Sequence, residues 1–312
     1  MANPAATMGA HKTRGRSHWI VRAPVSFLKF CRAKPLGGIS AIIIFSLLVI
    51  AIFAPQIAPH EPTRTFVGKP NLSPNGDFWF GTDNLGRDVL SRAIYGARVS
   101  MKVGFIAVFF ATLIGASIGV LSGYFQGKFD IIVQRLMDAI QAFPSLILAL
   151  AIVAVRGPSI NSALIVITVV LIPGGARIVR GAVLSVKQNV YVEASRALGA
   201  SNFRIMFRHI LPNVMAPIIV NVSILLGGAI LFEASLSFLG AGASVEEATW
   251  GLMISGNAGT GVNTSIDFQT YPWLALVPAG CISLAVFSFN LLGDAIRDTL
   301  DPRLRGGGGR IT

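Results

Sequence analysis

The chain has 312 residues, of which 53% are hydrophobic and only 13% are charged, with a mean hydropathy of +0.67. A soluble domain carries about 25% charged residues. This shortfall, with charges clustered between long uncharged runs, indicates a membrane protein and argues against an ordinary globular enzyme. The net charge of +12 does not predict nucleic-acid binding, because the basic residues flank the apolar runs instead of forming a stripe interleaved with aromatics.

Cysteine and histidine usage predicts neither disulfides nor a structural metal. Cys31 lies in a basic leader and Cys281 in an apolar run, so a disulfide framework is not expected. No Cys/His cluster has the spacing of metal ligands. No nucleophile lies beside a base, and no Walker lysine is present, so we expect a chain that catalyses no reaction itself.

Charge-free runs long enough to cross a bilayer predict an all-α, polytopic membrane protein with six transmembrane helices, since about 20 apolar residues span the hydrocarbon core. The predicted spans are Leu36–His60, Val103–Gly127, Ala139–Val155, Gly157–Ala176, Leu211–Phe232 and Phe268–Gly293.

The third and fourth spans are the shortest. Ala139–Val155 needs an extra turn from the residues before it, and Pro144 is expected near its start, where a missing N–H costs little. Gly157–Ala176 is expected to break at Pro173-Gly174-Gly175. In the sixth span, Pro278 is expected to cause a kink that neighbouring helices tolerate.

The distribution of Lys and Arg predicts the orientation. Residues 1–35 are rich in basic residues and contain no acid, and six spans place both termini on the same side together with most of the 26 basic residues. The positive-inside rule then puts both termini in the cytoplasm. A signal peptide over 36–54 is the weaker interpretation, because the leader is long and the run lacks a small-residue cleavage site.

These features divide the chain into a basic cytoplasmic leader (1–35), a first transmembrane helix (36–58), a periplasmic segment with an interfacial helix (59–98), a transmembrane core (99–293) that holds a cytoplasmic loop (185–212) and a second periplasmic segment (243–270), and a cytoplasmic tail (294–312).

The cytoplasmic loop predicts two short helices joined at a glycine. In the first helix, Tyr191, Ala194 and Leu198 form one apolar stripe. Gly199 supplies the left-handed residue that ends this helix, and Ser201 or Asn202 caps the next one.

The second helix is expected to place its apolar residues on one face and its arginines on another. The apolar face consists of Phe203, Met206, Phe207 and Ile210, and Arg204 and Arg208 are one turn apart. From the residues alone two interpretations stay open: an amphipathic loop on the lipid headgroups, or a docking surface for a soluble partner.

The loop resembles the EAA motif of binding-protein-dependent ABC importer permeases. The matching residues are Glu193-Ala-Ser, Gly199 and Leu211-Pro212, whereas Ser195 replaces the second alanine of the motif and His209 replaces an isoleucine. In that family the loop fits a groove on the ATPase subunit. The resemblance implies a role in ATPase coupling for Glu193, Ala194, Ser195, Gly199, Ala200, Arg204, Leu211 and Pro212.

Three further stretches resemble the dipeptide, oligopeptide and nickel branch of this family, in its DppC/OppC type. They are 81–92 with 95–100, 233–240, and 273–303, and Trp250-Gly251 adds to the match. The resemblance implies a type I ABC importer permease (MetI-like) fold and a place in the bacterial inner membrane.

The family also implies partners. They are a paralogous permease of the DppB/OppB type, two ATPase subunits of the DppD/DppF type, a solute-binding protein and a peptide or small solute. ATP and Mg²⁺ would bind to the ATPase subunits, so no cofactor is expected on this chain. The sequence leaves dipeptides, oligopeptides, glutathione and nickel chelates open as substrates.

Two groups of charged residues lie outside the loop. Glu233 closes the fifth span and is either a residue of the transport pathway or, as we favour, a structural partner for a nearby polar group. Asp83, Arg87, Asp88 and Arg92 are expected to form exposed local pairs that orient an interfacial helix beginning near Asn84, or to contribute to a docking surface for a solute-binding protein.

An ion-gradient-driven secondary transporter is the alternative function. Such a protein would normally show an intramembrane acid or broken helices in matched repeats, and Glu233 has no counterpart in the sequence.

Overall fold

The computed structural model describes residues 30–244, 247–256 and 269–300. Within these ranges the chain folds into helices and loops without a sheet, which confirms the all-α prediction. Five of these helices are long and apolar enough to cross a bilayer, and a bent pair would supply a sixth span.

From Pro35 onward the helices are α1 (Pro35–Ile52), α2 (Ala54–Ile57), α3 (Val89–Phe125), α4 (Gly127–Gln141), α5 (Ser145–Arg156), α6 (Ile160–Lys187), α7 (Val190–Ala197), α8 (Asn202–Arg204), a π-helical segment (Ile205–Ile210), α9 (Leu211–Phe238), α10 (Trp250–Ser255) and α11 (Trp273–Leu300).

Helix α3 is longer than the sequence predicted. The interfacial helix expected near Asn84 and the second span are one continuous helix of 37 residues, so the predicted boundary at residues 98/99 falls inside it. Asp88 caps its start, because the carboxylate accepts hydrogen bonds from the Leu90 and Ser91 backbone N–H groups at 3.3 and 3.0 Å. At 1.5 Å per residue α3 is about 55 Å long and extends well beyond a hydrocarbon core of about 30 Å.

The third predicted span is not one straight helix. Its residues belong to α4 and α5, which meet at an angle of 83° around residues 142–144. Pro144 stands immediately before α5 in an extended conformation. A proline disfavours helical geometry in the residue before it, here Phe143, which explains why the chain turns at this point.

The break predicted at Pro173 is absent. Helix α6 runs through Pro173 to Lys187 without interruption, and Pro173 is buried. Gly115 of α3 approaches this stretch so closely that a Cβ atom there would lie 3.1 Å from the Ile172 carbonyl oxygen. Close packing against α3 supports the helix through the proline, as neighbouring helices do in membrane proteins.

The remaining spans agree with the predictions in position but differ in length. Helix α1 ends at Ile52 and is followed by the short α2, whereas α9 and α11 continue for about two turns beyond their predicted ends at Phe232 and Gly293. The predicted start of the sixth span at Phe268 lies outside the described residues, as does much of the segment 243–270.

The helices pack into a bundle with α3, α6 and α9 at its centre, while α11 lies between α9 and α1. The fully buried Trp250 of α10 donates a hydrogen bond from its indole N–H to the Ala93 carbonyl, 2.9 Å away, and so ties α10 to α3. A second apolar cluster, formed by residues such as Val183, Val192 and Ile210, lies under the predicted coupling loop.

Candidate coupling site

Helix α7 follows α6 after a turn of two residues and is anchored by one side chain. Val192 is fully buried in the second apolar cluster. Glu193 and Ala194 are exposed, and the Ser195 hydroxyl donates to the Tyr191 carbonyl at 2.7 Å. The Glu-Ala-Ser motif therefore lies on the outer side of a helix that is fixed to the bundle through Val192.

Gly199 ends α7 as predicted. Its φ of +79° lies in the left-handed region, which strongly favours glycine. The Gly199 N–H donates to the Arg196 carbonyl at 3.0 Å and the Ala200 N–H to the Ser195 carbonyl at 3.1 Å. This pair of bonds is the Schellman motif, which satisfies the last carbonyls of a helix and turns the chain sharply.

The second half of the loop begins with the predicted cap but is not a regular helix. The Ser201 hydroxyl accepts a hydrogen bond from the Arg204 N–H at 3.3 Å. After α8 the chain widens into the π-helical segment, and α9 then starts with Leu211-Pro212. Arg204 and Pro212 are exposed.

The π-helical segment changes which residues share a face. Met206 and Ile210 are buried, while Phe203 and Phe207 are exposed and have their ring centroids 4.3 Å apart. The single apolar face predicted for these four residues is therefore wrong, because a π-helical turn contains more residues than an α-helical one and rotates the side chains that follow.

The predicted apolar stripe of α7 is also not the buried side of the helix. Leu198 is 88% exposed and Tyr191 is 43% exposed. Together with Phe203 and Phe207 they form the "loop face", a set of large apolar side chains that the bundle leaves uncovered. Uncovered apolar groups of this size are typical of interaction surfaces.

Hydrogen bonds that the sequence did not predict attach the loop to the end of α3. The Tyr124 hydroxyl donates to Asn202 Oδ1 at 2.6 Å. Lys187 Nζ donates to the Tyr124 carbonyl at 2.7 Å and to Gln126 Oε1 at 3.1 Å. The Arg196 guanidinium lies 6.0 Å from the centre of the Tyr124 ring. The available sequence signal was a tyrosine at the end of an apolar run, just before Gln126-Gly127.

The same end of α3 is joined to α4 and α6 by a buried polar cluster. Arg180 binds the Asp130 carboxylate through two hydrogen bonds of 2.7 and 2.5 Å. Asp130 also accepts a hydrogen bond from Ser122, whose hydroxyl in turn accepts one from Gln134 at 3.2 Å.

The surroundings of Glu233 are those of a structural partner, the role that the sequence favoured. Its side chain is 1% exposed, and the two carboxylate oxygens accept hydrogen bonds from Ser100 at 2.8 Å and Ser237 at 2.7 Å. The carboxylate thus joins α9 to α3, and both of its oxygens are satisfied.

The charged residues around the start of α3 form pairs, but the pairs are not exposed as predicted. Arg87 Nε lies 2.6 Å from Asp83 Oδ2, and Arg92 Nε lies 3.7 Å from the same atom. Arg87, Asp88 and Arg92 are each at most 5% exposed. Their burial supports the structural interpretation, since side chains inside the fold cannot contact a second protein directly.

A groove of about 640 Å³ lies between α3 and α9 and reaches the loop. Its walls are almost entirely apolar and include Phe105, Phe109 and Ala116 of α3, Met215 and Ile218 of α9, and Phe207 of the loop face. The exposed Arg98 and Lys102 continue the same side of α3 toward its start, because Arg98, Phe105, Phe109 and Ala116 follow helical spacing.

Helices of this length, with the loop at one end and the groove between two of them, define a multi-pass membrane protein. Its fold is that of the type I importer permeases, as the family match and the solved structures below show. Residues 115–306 match the family described as binding-protein-dependent transport system inner membrane component. Residues 27–74 match the N-terminal TM domain of oligopeptide transport permease C. The chain belongs to this family of ABC importer permeases, as its motifs predicted.

Curated relatives cover nearly the whole chain. The chain is 41% identical to the dipeptide transport system permease protein DppC of Alkalihalophilus pseudofirmus over 277 residues, 89% of each protein. It is 40% identical over 288 residues to the glutathione transport system permease protein GsiD of Escherichia coli, covering 92% of this chain and 93% of that protein.

Solved structures share the fold at lower identity. The permease chain in the inward-facing MetNI methionine ABC transporter matches with a TM-score of 0.56 at 20% identity, over 68% of this chain and 97% of that one. A chain of an amino acid ABC transporter matches with a TM-score of 0.52. At this identity the likeness shows the fold alone.

Proposed function

We propose that this chain forms half of the translocation pathway of an ABC importer for short peptides and is driven by ATPase subunits that dock on the loop face. The observation that carries the proposal is the exposed apolar surface of a loop that is otherwise tightly fixed to the bundle. A loop lying on lipid headgroups would not need Val192, Gly199 and Tyr124 to hold its shape. A docking surface must keep its geometry while the ATPase subunits push or pull on it.

The orientation follows from this assignment. With the loop at the cytoplasmic side, the basic leader and the end of α11 lie on the same side, in agreement with the positive-inside rule. Lys34 Nζ and Asp298 Oδ2, 2.6 Å apart, join the start of α1 to the end of α11 there. The segment before α3 then faces the periplasm, where a solute-binding protein would deliver the substrate.

The groove between α3 and α9 is this chain's contribution to the pathway. One chain offers only one wall, so a second permease subunit is needed to enclose a passage. The groove is lined in part by Met206, Phe207 and Leu211, which belong to or directly follow the loop. Movement of the loop by the ATPases would therefore reshape the groove, and ATP and Mg²⁺ act only on the partner subunits.

Short peptides are the substrate class that the comparisons favour, because the relatives at about 40% identity carry the names of dipeptide and glutathione permeases. Both kinds of solute bear carboxylates. Arg98 and Lys102 place two positive charges on the outer turns of the groove side of α3, where they would attract such a group.

Reconstitution into vesicles tests the proposal. The chain should copurify with two ATPase subunits and a second permease, and the vesicles should accumulate a radiolabelled dipeptide only with the binding protein and ATP. Uptake by this chain alone, driven by a proton or sodium gradient, would overturn the proposal and favour the secondary transporter. Against that alternative, the Glu233 carboxylate is already occupied by two serine hydroxyls.

A further inference from the structure

Tyr124 connects the end of α3 to the second half of the loop through its side chain. The residue is 4% exposed, and its ring packs in the second apolar cluster while its hydroxyl reaches Asn202 at the start of α8. Lys187, the last residue of α6, holds the Tyr124 carbonyl from the other side. The end of α3, the end of α6 and the second half of the loop are therefore joined within one hydrogen-bonded group.

Helices α3 and α6 are in direct backbone contact just before this point. A Cβ atom on Gly119 would lie 2.6 Å from the Ala176 carbonyl oxygen, and one on Gly123 would lie 3.0 Å from the Arg180 carbonyl oxygen. With Gly115, these glycines recur every four residues, the pattern that lets two membrane helices approach closely. Tightly packed interiors deform little, so α3 and α6 behave as one body.

The connection from α7 and α8 to α9 is less regular. It passes through the π-helical segment Ile205–Ile210, where the regular hydrogen-bond ladder is replaced by wider turns. Thus α7 and α8 are joined to α3 by a side-chain hydrogen bond and to α6 by a turn of two residues, while the irregular segment Ile205–Ile210 separates them from α9.

We propose that Tyr124 is a positioning residue that fixes the coupling loop to the α3–α6 pair, so that displacement of the loop moves α3 and the groove wall it carries. This inference rests on the proposed function, because it describes how docking of the ATPases reaches the pathway. In this proposal, displacement of the loop is transmitted to α3 and α6 through the Tyr124–Asn202 hydrogen bond, and the chain bends at the π-helical segment.

The test removes one oxygen atom. Tyr124→Phe keeps the packed ring and deletes the hydrogen bond to Asn202. The variant is measured in vesicles that contain the complete importer with its binding protein. We expect the ATP hydrolysed per dipeptide transported to rise about five-fold, because loss of one hydrogen bond changes an equilibrium constant by about this factor. The amount of ATPase subunit bound should stay unchanged, which a merely structural defect in the loop would not allow.

Matched variants make the result specific. Asn202→Ala removes the acceptor and should reproduce the effect, whereas Asn202→Asp keeps an acceptor and should restore the wild-type ratio. Tyr95→Phe, near the other end of α3, serves as the control. The Tyr124→Phe, Asn202→Ala double variant should be no worse than either single variant, since both remove the same bond.

Two outcomes separate this inference from the proposed function. If the wild-type importer shows no ATP-dependent uptake, the proposed function fails. Alternatively, the wild type is coupled while Tyr124→Phe or Asn202→Ala keeps the wild-type ratio of ATP hydrolysed to dipeptide transported, or while the effects of the two variants add. Either result overturns the positioning role of Tyr124, and the proposed function stands. Loss of folding in one variant leaves the other to decide, and collapse of both would show that the bond serves folding instead of transmission.

Discussion

Arg180 of α6 and Asp130 of α4 form a two-point ion pair, with Nε 2.7 Å from Oδ1 and Nη2 2.5 Å from Oδ2. Asp130 is 8% exposed, so the carboxylate depends on this partner and on Ser122 to replace water. The pair fixes the first turn of α4 against α6, beside the end of α3 that carries Tyr124. It is a second rigid element at the loop end of the bundle.

Breaking this pair should destabilise the protein. Asp130→Asn and Arg180→Gln should each lower the free energy of unfolding by about 1.5–3 kcal/mol, because charged hydrogen bonds are lost in a partly buried site. Thermal unfolding of the purified importer in detergent measures the effect. The double variant should lose less than the sum of the two single losses, and strict additivity would show that the two side chains do not interact.

Gly199→Val should impair coupling without blocking membrane insertion. A β-branched residue at a φ of +79° is strained by roughly 1–2 kcal/mol or more, which distorts the turn between α7 and α8. Dipeptide uptake per ATP hydrolysed should fall sharply. Gly240→Val is the matched control, since Gly240 has a φ of +75° at the opposite end of α9. Normal uptake in Gly199→Val would remove the role assigned to this glycine.

Leu198→Asp should weaken ATPase docking without destabilising the permease. The side chain is 88% exposed, so the fold loses little, whereas a charge in an apolar contact costs about 2 kcal/mol, or roughly thirty-fold in affinity. Titration of the purified permease pair with the ATPases measures this loss. Trp79→Asp, at a residue that is 71% exposed before α3, should leave docking unchanged. Equal weakening by both variants would contradict a localised loop face.

Glu233 variants distinguish a structural carboxylate from a pathway residue. Glu233→Ala leaves the Ser100 and Ser237 hydroxyls without their buried acceptor and should cost about 1–3 kcal/mol of stability. Glu233→Gln has a similar shape, keeps one acceptor oxygen and can donate from its amide N–H to the other serine hydroxyl, so dipeptide uptake should stay within about two-fold of wild type. Abolished uptake by a stable Glu233→Gln protein would instead assign this carboxylate to the pathway.

Substitution of Arg98 and Lys102 tests whether the groove side of α3 attracts the substrate. Replacing both with Gln should raise the KM for a dipeptide several-fold while leaving kcat nearly unchanged, because removal of an attractive charge affects capture more than the conformational cycle. Uptake measured at low and at high ionic strength checks the cause, since screening by salt should reduce the difference between variant and wild type. A difference that does not change with salt would argue against an electrostatic role.

How much the sequence predicts depends on whether a feature is local. The apolar runs, the Gly199 turn and the Ser201 cap each need only neighbouring residues. The structure reproduces the turn, the cap and five of the six spans, and bends the third. Membrane helices are predictable for a physical reason: lipid offers no hydrogen-bond partners, so an apolar run of sufficient length must satisfy its own backbone. The family was predictable in the same way, from motifs whose residues are close in the chain.

Features that depend on a distant neighbour could not be read from the chain. Pro173 stays helical because Gly115 of α3 packs against that stretch, and Leu198 is exposed because α7 turns Val192, its one buried side chain, toward the bundle. The Tyr124–Asn202 bond joins residues 78 positions apart. Sequence spacing determines which side chains share a helix face, but only the packing of helices against each other decides which face is buried and which distant residues meet.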